Sequence, residues 1–520
     1  MAAALVARTH VPTVAGALAI AAFSVAPSAH AFDAEVEAST AAQAYSLRSP
    51  FGEPVIYRRR LTQTLGLGVY KLLGDDERAG GPQIFVKMRL RLDVDFGVEE
   101  TERTYSAESS SRYVPGLQQA PLDLMYGYVE GKRLFGGWFG FRAGRQYVTD
   151  ALGWWSFDGA LARVSAPFVN VEAYAGFEQR AGLPLSTGRF SPNGVFRGDR
   201  KIDGTDLPGS AFPMFQQASL APAYGVALES AGPYWIHGRL DYRKVLNKDQ
   251  GVATPYPGLD GRLVTLSGTR TSSERVGYAM DANAFDVVGV KGGIVYDFYN
   301  ALVSSYYASI DGFVTEKITV TGEYDFYKPT FDGDSIFNWF THSAITTATG
   351  RVAWSANDRL DVAANGGLRF WGTDDDPQKP ALGPADPATG KALTDPQAKN
   401  PAATHDWLGG LNARYRWDTG RATLRGVFET GDRGKREGVD VGGQKRWKAG
   451  VWTAEARGSV YDWKDELRPD RSATSVGYVL GGGFRPSEMA QLLLEWEHNT
   501  NKLVGQRYRV LALLNLWVGK

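Results

Sequence analysis

The stretch FVKMRLRLDVDF, residues 85–96, alternates apolar and charged side chains with a period of two. Successive side chains on a strand point to opposite faces, so Val86, Met88, Leu90, Leu92 and Val94 share one face. Lys87, Arg89, Arg91, Asp93 and Asp95 share the other. The segment is a two-faced ribbon, and the fold turns on what each face meets. From Val86 to Phe96 it has the ~9 to 11 residues that a tilted strand needs to cross a hydrocarbon layer.

The same grammar runs outward from this stretch in both directions. Residues 33–45 place Ala34, Val36, Ala38, Ala42 and Ala44 together, and residues 60–70 set Leu61, Leu65, Leu67 and Val69 against Thr62, Thr64, Gly66 and Gly68. Residues 168–178 oppose Val169, Val171, Ala173, Ala175 and Phe177 to Asn170, Glu172 and Tyr174. Further strands are predicted over 122–131, 138–146, 158–165, 223–229 and 234–244, then at similar spacing through 448–463 to 506–518, about twenty in all within a range of roughly 18 to 22. Tight turns at 134–137, 166–168, 231–233, 356–358, 418–420 and 485–488 separate long polar connections at 98–121, 179–216, 246–272, 329–345, 372–404 and 432–446.

Composition narrows the class. Lys+Arg and Asp+Glu both number 57, so the basic excess that a nucleic-acid binder needs is missing. Cysteine is absent, which removes disulfides, thiolate metal sites and cysteine nucleophiles. Arg8 and His10 precede an apolar run over 11–25, and Ala29 and Ala31 stand where a signal peptidase reads small residues. Residues 1–31 are therefore expected to be a signal peptide and 32–520 a barrel domain. Beyond the leader, no run approaches the ~18 to 20 apolar residues of a membrane helix. A secreted chain of this kind is either a soluble β protein or a closed membrane barrel, the one other structure that satisfies every backbone group in lipid.

Two features favour the barrel. The strand-and-loop grammar continues without the linkers that would divide a sandwich of this length into domains. Trp138, Trp235, Trp354, Trp371, Trp407, Trp417, Trp463 and Trp517 lie near predicted strand ends, as do Tyr57, Tyr70, Phe96, Tyr327 and Tyr508, where an interfacial girdle would sit. The expectation is an all-β, single transmembrane antiparallel up-and-down barrel with long extracellular loops.

The leader, the terminal strand RYRVLALLNLWVGK (507–520) and the turn-strand sequence RPSEMAQLLLEWEHN (485–499) resemble Gram-negative outer-membrane porins across the whole mature chain. Within it, YGYVEGKRLFGGWFGFRAGRQ (126–146) followed by LGWWSFDGALARV (152–164) resembles the alginate-export type of polysaccharide secretion barrel. Lys520 departs from the usual aromatic terminal residue of such barrels. The resemblance implies an outer-membrane channel for hydrophilic solutes, and more specifically secretion of an exopolysaccharide. Its partners would be outer-membrane lipids, the barrel assembly machinery and a periplasmic polysaccharide-export protein. A general or substrate-specific diffusion porin is the alternative reading, and a closed structural or adhesion barrel is a third.

Parity nominates pore-lining residues: Arg58 and Arg60; Lys87, Arg89, Arg91, Asp93 and Asp95; Arg142 and Gln146; Glu172; Arg239 and Asp241. Such charges set selectivity in a pore, or pair across the lumen as structural ties. The 179–216 connection, with Arg180, Arg189, Arg197, Arg200 and Lys201, is nominated as a constriction or plug, its alternative being an exposed surface loop. Asp374, Asp375 and Asp376 lack the frame of a calcium loop, and no HExxH or GxSxG pattern occurs, so no enzyme, metal or cofactor is expected.

Overall fold

The computed structural model describes residues 32–73, 81–95, 122–179, 201–202, 205–206, 221–233, 235–247, 252–257, 263–266, 269–284, 287–330, 343–372, 404–466 and 472–519. The expected signal peptide lies outside them. The strands are β1 (Asp33–Arg48), β2 (Pro54–Tyr70), β3 (Gln83–Asp95), β4 (Leu122–Leu134), β5 (Phe139–Asp150), β6 (Gly153–Ser165) and β7 (Val169–Glu178). Two short pairs, β8 (Lys201–Ile202) with β9 (Thr205–Asp206) and β12 (Val252–Pro257) with β13 (Leu263–Leu266), stand apart from the main sheet. Between them come β10 (Ala221–Ser230) and β11 (Ile236–Asn247). Then follow β14 (Arg270–Ala284), β15 (Val288–Asp297), β16 (Leu302–Thr315), β17 (Ile318–Tyr327), β18 (Ile345–Asn357), β19 (Leu360–Trp371), β20 (Thr404–Trp417), β21 (Gly420–Gly431), β22 (Gly434–Trp447), β23 (Trp452–Asp465), β24 (Ser472–Ser487), β25 (Ala490–Asn501) and β26 (Gly505–Gly519).

Twenty-two of these form one sheet in which each strand pairs antiparallel with its neighbours in the chain, and β1 pairs with β26 to close it. Closure leaves no edge, and every main-chain group of a spanning strand can find a partner without water. Register fixes the faces. Across β1, β2 and β3, Ala38, Leu65 and Leu90 align on one side while Glu37, Gly66 and Arg89 align on the other. The apolar side is the outer one: Leu67, Val171, Val226, Leu240, Val352, Leu411, Val441, Leu480, Leu494 and Val510 are exposed around the barrel with no protein over them. That band is what lipid would cover, and Val86, Met88, Leu90 and Leu92 of the opening stretch belong to it by register.

The start of β1 and the end of β26 lie at one end of the barrel, since Glu35 aligns with Gly519. The connections at that end include the brief turns after β4, β6, β18, β20 and β24. The long connections after β3, β7, β11, β17 and β19 all leave from the other end, which is the extracellular one by the usual asymmetry of such barrels. Twenty-two strands about 4.8 Å apart and tilted by about 40° give a barrel roughly 40 Å across. An unfilled lumen of that width would discriminate little.

The structure corrects three expectations. Residues 432–446, read as a loop, are mostly β22, and the predicted strand over 448–463 begins at Trp452 after a 3-10 turn at Lys448–Gly450. On its outward face β22 carries Lys435, Glu437 and Lys445 among Val439, Val441 and the terminal Trp447, so its lipid face is too short to register as a strand pattern. The girdle is also only part of the aromatic set. Trp138, Trp235, Trp354 and Trp407 are exposed, but Trp371 turns inward and donates its indole N–H to Asp406 (2.6 Å), and Tyr70 donates to Glu35 (2.8 Å) on the lumen side. Trp463 and Trp517 have lumenal register as well, opposite Arg436 and Glu37.

Candidate functional site

The lumen is narrowed by the end of the β5–β6 hairpin. Its root is a row of glycines across three strands: Gly144 pairs with Gly159, and Gly159 with Gly176. Gly144 has φ +125°, and a Cβ there would stand 2.3 Å from the carbonyl oxygen of Gly127. A Cβ on Gly159 would lie 2.2 Å from the Ala175 carbonyl oxygen, and one on Gly176 2.3 Å from that of Asp158. No other residue fits this row, and glycines so placed mark a sharp bend. β4 stops pairing with β5 at Arg145, so the hairpin beyond it is released on one side.

Beyond the bend the hairpin crosses the inner faces of β7, β10 and β11 and reaches β14. A Cβ on Gly277 of β14 would meet the Ala151 Cβ at 3.1 Å and the Leu152 side chain at 2.8 Å, so the tip rests directly on that glycine. Asp241 of β11 accepts from the Ala151 amide (3.3 Å), and Arg243 donates to the Leu152 carbonyl (3.4 Å). The tip is shaped by an Asx turn in which Leu152 N–H donates to Asp150 (2.8 Å). Arg243 also stands 3.6 Å from the Asp150 carboxylate and over the Trp155 ring at 5.0 Å.

What holds the hairpin down is a small dry core. Trp155, Phe157, Tyr174, Ala221, Ala223 and Val245 form one buried cluster, with Val148 and Leu161 packed against it. Trp155 and Phe157 stack at 4.5 Å, and each lies 5.5 Å from the Tyr174 ring. The wall beneath is made of small residues because rings must lie on it. A Cβ on Gly225 would come 2.3 Å from Tyr174, and Ala221, Ala223 and Ala227 occupy further inward positions of β10. Polar ties complete the seam: Gln146 donates to the Gly159 carbonyl (2.9 Å), Trp155 to Glu178 (2.8 Å) and Ser156 to Gln179 (2.7 Å).

The nominated pore residues divide on this map. Arg142 is tied through two bonds to Glu130 (3.2 and 3.1 Å). Glu172 bridges Arg163 (3.0 Å) and Arg239 (2.8 Å), and Arg239 also holds Asp241 (2.9 Å). Gln146 and Asp241 are 0% exposed: Gln146 is buried at the hairpin's own root and Asp241 beneath its tip, so both brace the hairpin instead of lining the passage. On β3, Arg89 pairs with Glu37 (3.2 Å), Lys87 lies over the Tyr70 and Phe85 rings, and Arg91 is buried. Arg60 aligns with Gln43 and Asp95 and has an interaction partner. The side chains of Arg58, Asp93, Asp95 and Lys201 lie outside the described residues, as do Arg180, Arg189, Arg197 and Arg200 entirely. The constriction that is described comes from residues 145–158, most of which the pattern reading left unassigned between two strands.

Halfway around the barrel the inner wall is different. There β20 to β23 turn Arg414, Arg416, Arg421, Arg425, Arg436, Arg446 and Arg457 to the lumen. Asp361 takes Arg414 (2.9 Å) and Arg416, and Glu455 takes Arg457. Arg421, Arg425 and Arg446 are exposed and have no carboxylate within 4.0 Å among the described residues.

A closed, even-stranded antiparallel barrel, apolar outside and polar inside, with its long connections at one end, is a transmembrane β-barrel of the Gram-negative outer-membrane type. No protein-family model and no curated protein matches the chain. Solved structures share its general layout. OccAB4 of Acinetobacter baumannii has 8% identity and a TM-score of 0.40, over 94% of this chain and 99% of that one. OccK7 (OpdD) of Pseudomonas aeruginosa has the same four values, and the outer membrane protein opdK of that species has 8% identity and a TM-score of 0.38 over 94% and 99%. Likeness at this level assigns no residue a role.

Proposed function

We propose that the chain is a diffusion porin for small hydrophilic solutes, with a bias toward anions. The observation that carries this reading is the hairpin itself: it is docked on one side of a wide lumen and faces a wall with exposed arginines, among them Arg421, Arg425 and Arg446. A hairpin fixed by its own core limits solute size without any moving part. Arginines opposite it raise the local concentration of anions in the narrowed passage. Lipid around the apolar band and assembly by the barrel machinery belong to the same reading.

Export of an exopolysaccharide, implied by the resemblance of residues 126–146 and 152–164, calls for a path wide enough for a polymer and for a periplasmic partner. Those segments build the constriction, which favours the porin. Planar-bilayer recording of the purified protein tests the proposal. Stable open conductance with a reversal potential displaced toward the chloride value in a KCl gradient is expected. Conductance near zero would reject it in favour of a closed barrel, and loss of surface polysaccharide on deletion of the gene would return the export reading.

A further inference from the structure

The face of the hairpin turned away from its core is aromatic and exposed. Tyr147 is 42% exposed and Trp154 51%, and their rings lie 6.4 Å apart in near-parallel planes. Tyr147 meets Tyr126 edge-on at 5.9 Å, and Tyr126 lies 5.9 Å from Tyr128. Tyr126 and Tyr128 belong to the inner face of β4, opposite Arg89 and Lys87. Four rings thus run in an unbroken path from the barrel wall onto the constriction. None is needed for the core beneath, which is complete with Trp155, Phe157 and Tyr174. A cavity of about 570 Å³ opens beside the path, lined by Tyr147 and Thr149 of the hairpin and by Glu130, Arg142, Arg163 and Glu172 of the wall.

Cations and carboxylates are paired along much of this path. Arg142 lies over the Tyr128 ring at 4.9 Å and is held by Glu130, while Arg163 is shared by Glu172 and Glu229. Such pairs keep spare N–H donors and carboxylate lone pairs for a ligand. Exposed ring faces beside paired donors and acceptors complement a solute that has apolar C–H faces and a rim of hydroxyl groups. We infer that the path Tyr128, Tyr126, Tyr147 and Trp154 is a binding track for the pyranose rings of neutral oligosaccharides. The inference rests on the porin reading for its place in a transport route, and it assigns the aromatic near wall to sugars while the arginine-rich wall stands on the far side.

Titration of the detergent-solubilised protein with maltotriose and with cellotriose, read by tryptophan fluorescence, tests binding apart from conduction. Saturable binding of a trisaccharide is expected. The variant carrying Tyr147→Leu and Trp154→Leu should bind about tenfold more weakly or worse, and Trp154→Phe should stay close to the unaltered protein, because a ring remains. Heat-modifiable migration on gels checks that each variant is folded. Absence of trisaccharide binding by the folded, unaltered protein overturns the track, as does equal binding by the double leucine variant. Tighter binding of benzoate than of either trisaccharide overturns the assignment to neutral sugars. A protein that binds trisaccharide but passes no current upholds the track and sinks only the porin reading.

Discussion

Two opposite stretches of the inner wall obey the same strand alternation and end in contrary states. On β10 and β14 the inward positions under the hairpin include Gly225, Gly277, Ala221, Ala223 and Ala227, and the hairpin lies on them out of reach of water, its tip bound by Asp241 and Arg243 of β11. On β21 to β23 the inward positions include Arg421, Arg425, Arg436, Arg446 and Arg457, and none of the described chain covers them. Small residues make a bed for a second layer because backbone and rings can approach closely. Long charged ones keep the lumen wet. Side-chain size at inward positions therefore decides where a wide barrel is filled and where it stays open.

The largest effect is expected from breaking the covered side. Trp155→Ala with Phe157→Ala removes the two rings that clamp the hairpin, at about 3 to 5 kcal/mol each for buried aromatics. The hairpin should lift from the wall, raising single-channel conductance severalfold and exposing residues 145–158 to protease. Unchanged conductance would show that the covered wall does not define the passage.

A glycine pair sharpens the contrast. Gly225→Ala places a methyl group 2.3 Å from the Tyr174 ring and 2.5 Å from the Tyr242 carbonyl, and should cost about 1 to 3 kcal/mol as overpacking. Gly481→Ala, on β24 beyond the hairpin's reach, meets nothing nearer than the Glu455 Cβ at 3.6 Å and should be neutral or stabilising by about 0.5 kcal/mol. The heat-induced shift on gels measures both, and equal losses would refute the difference between the walls. A smaller effect belongs to the open side. Arg421→Glu with Arg425→Glu should move the reversal potential toward cations with little change in conductance. The shift should fade near 1 M salt, where the screening length falls to about 3 Å.

Most of the barrel was legible because lipid demands an apolar residue at every second position, as in Val169, Val171, Ala173, Ala175 and Phe177. β22 was not, for its outward row mixes Val439, Val441 and Trp447 with three charges. The hairpin was missed for a subtler reason. Alternation says which residues share a face, but not whether that face lies in the wall or folds against it. The available signal was apolarity on both faces at once: Trp154 on one side and Trp155, Phe157 and Leu161 on the other, beside inward Ala221, Ala223 and Gly225. Polarity was equally silent about burial, so Gln146 and Asp241 read as pore residues although one is buried in the hairpin's root and the other under its tip.

The docked hairpin is the central claim, and the absence of native cysteine allows a direct test. A Cβ on Gly277 would lie 3.1 Å from that of Ala151, only a few tenths of an ångström short of the usual ~3.5 to 4.5 Å for disulfides. Ala151→Cys with Gly277→Cys should cross-link fully under mild oxidation, and conductance should be the same oxidised and reduced, because the bond fixes the hairpin where it already rests. Failure of the pair to cross-link in the folded barrel, or a large rise in conductance on reduction, would contradict the account.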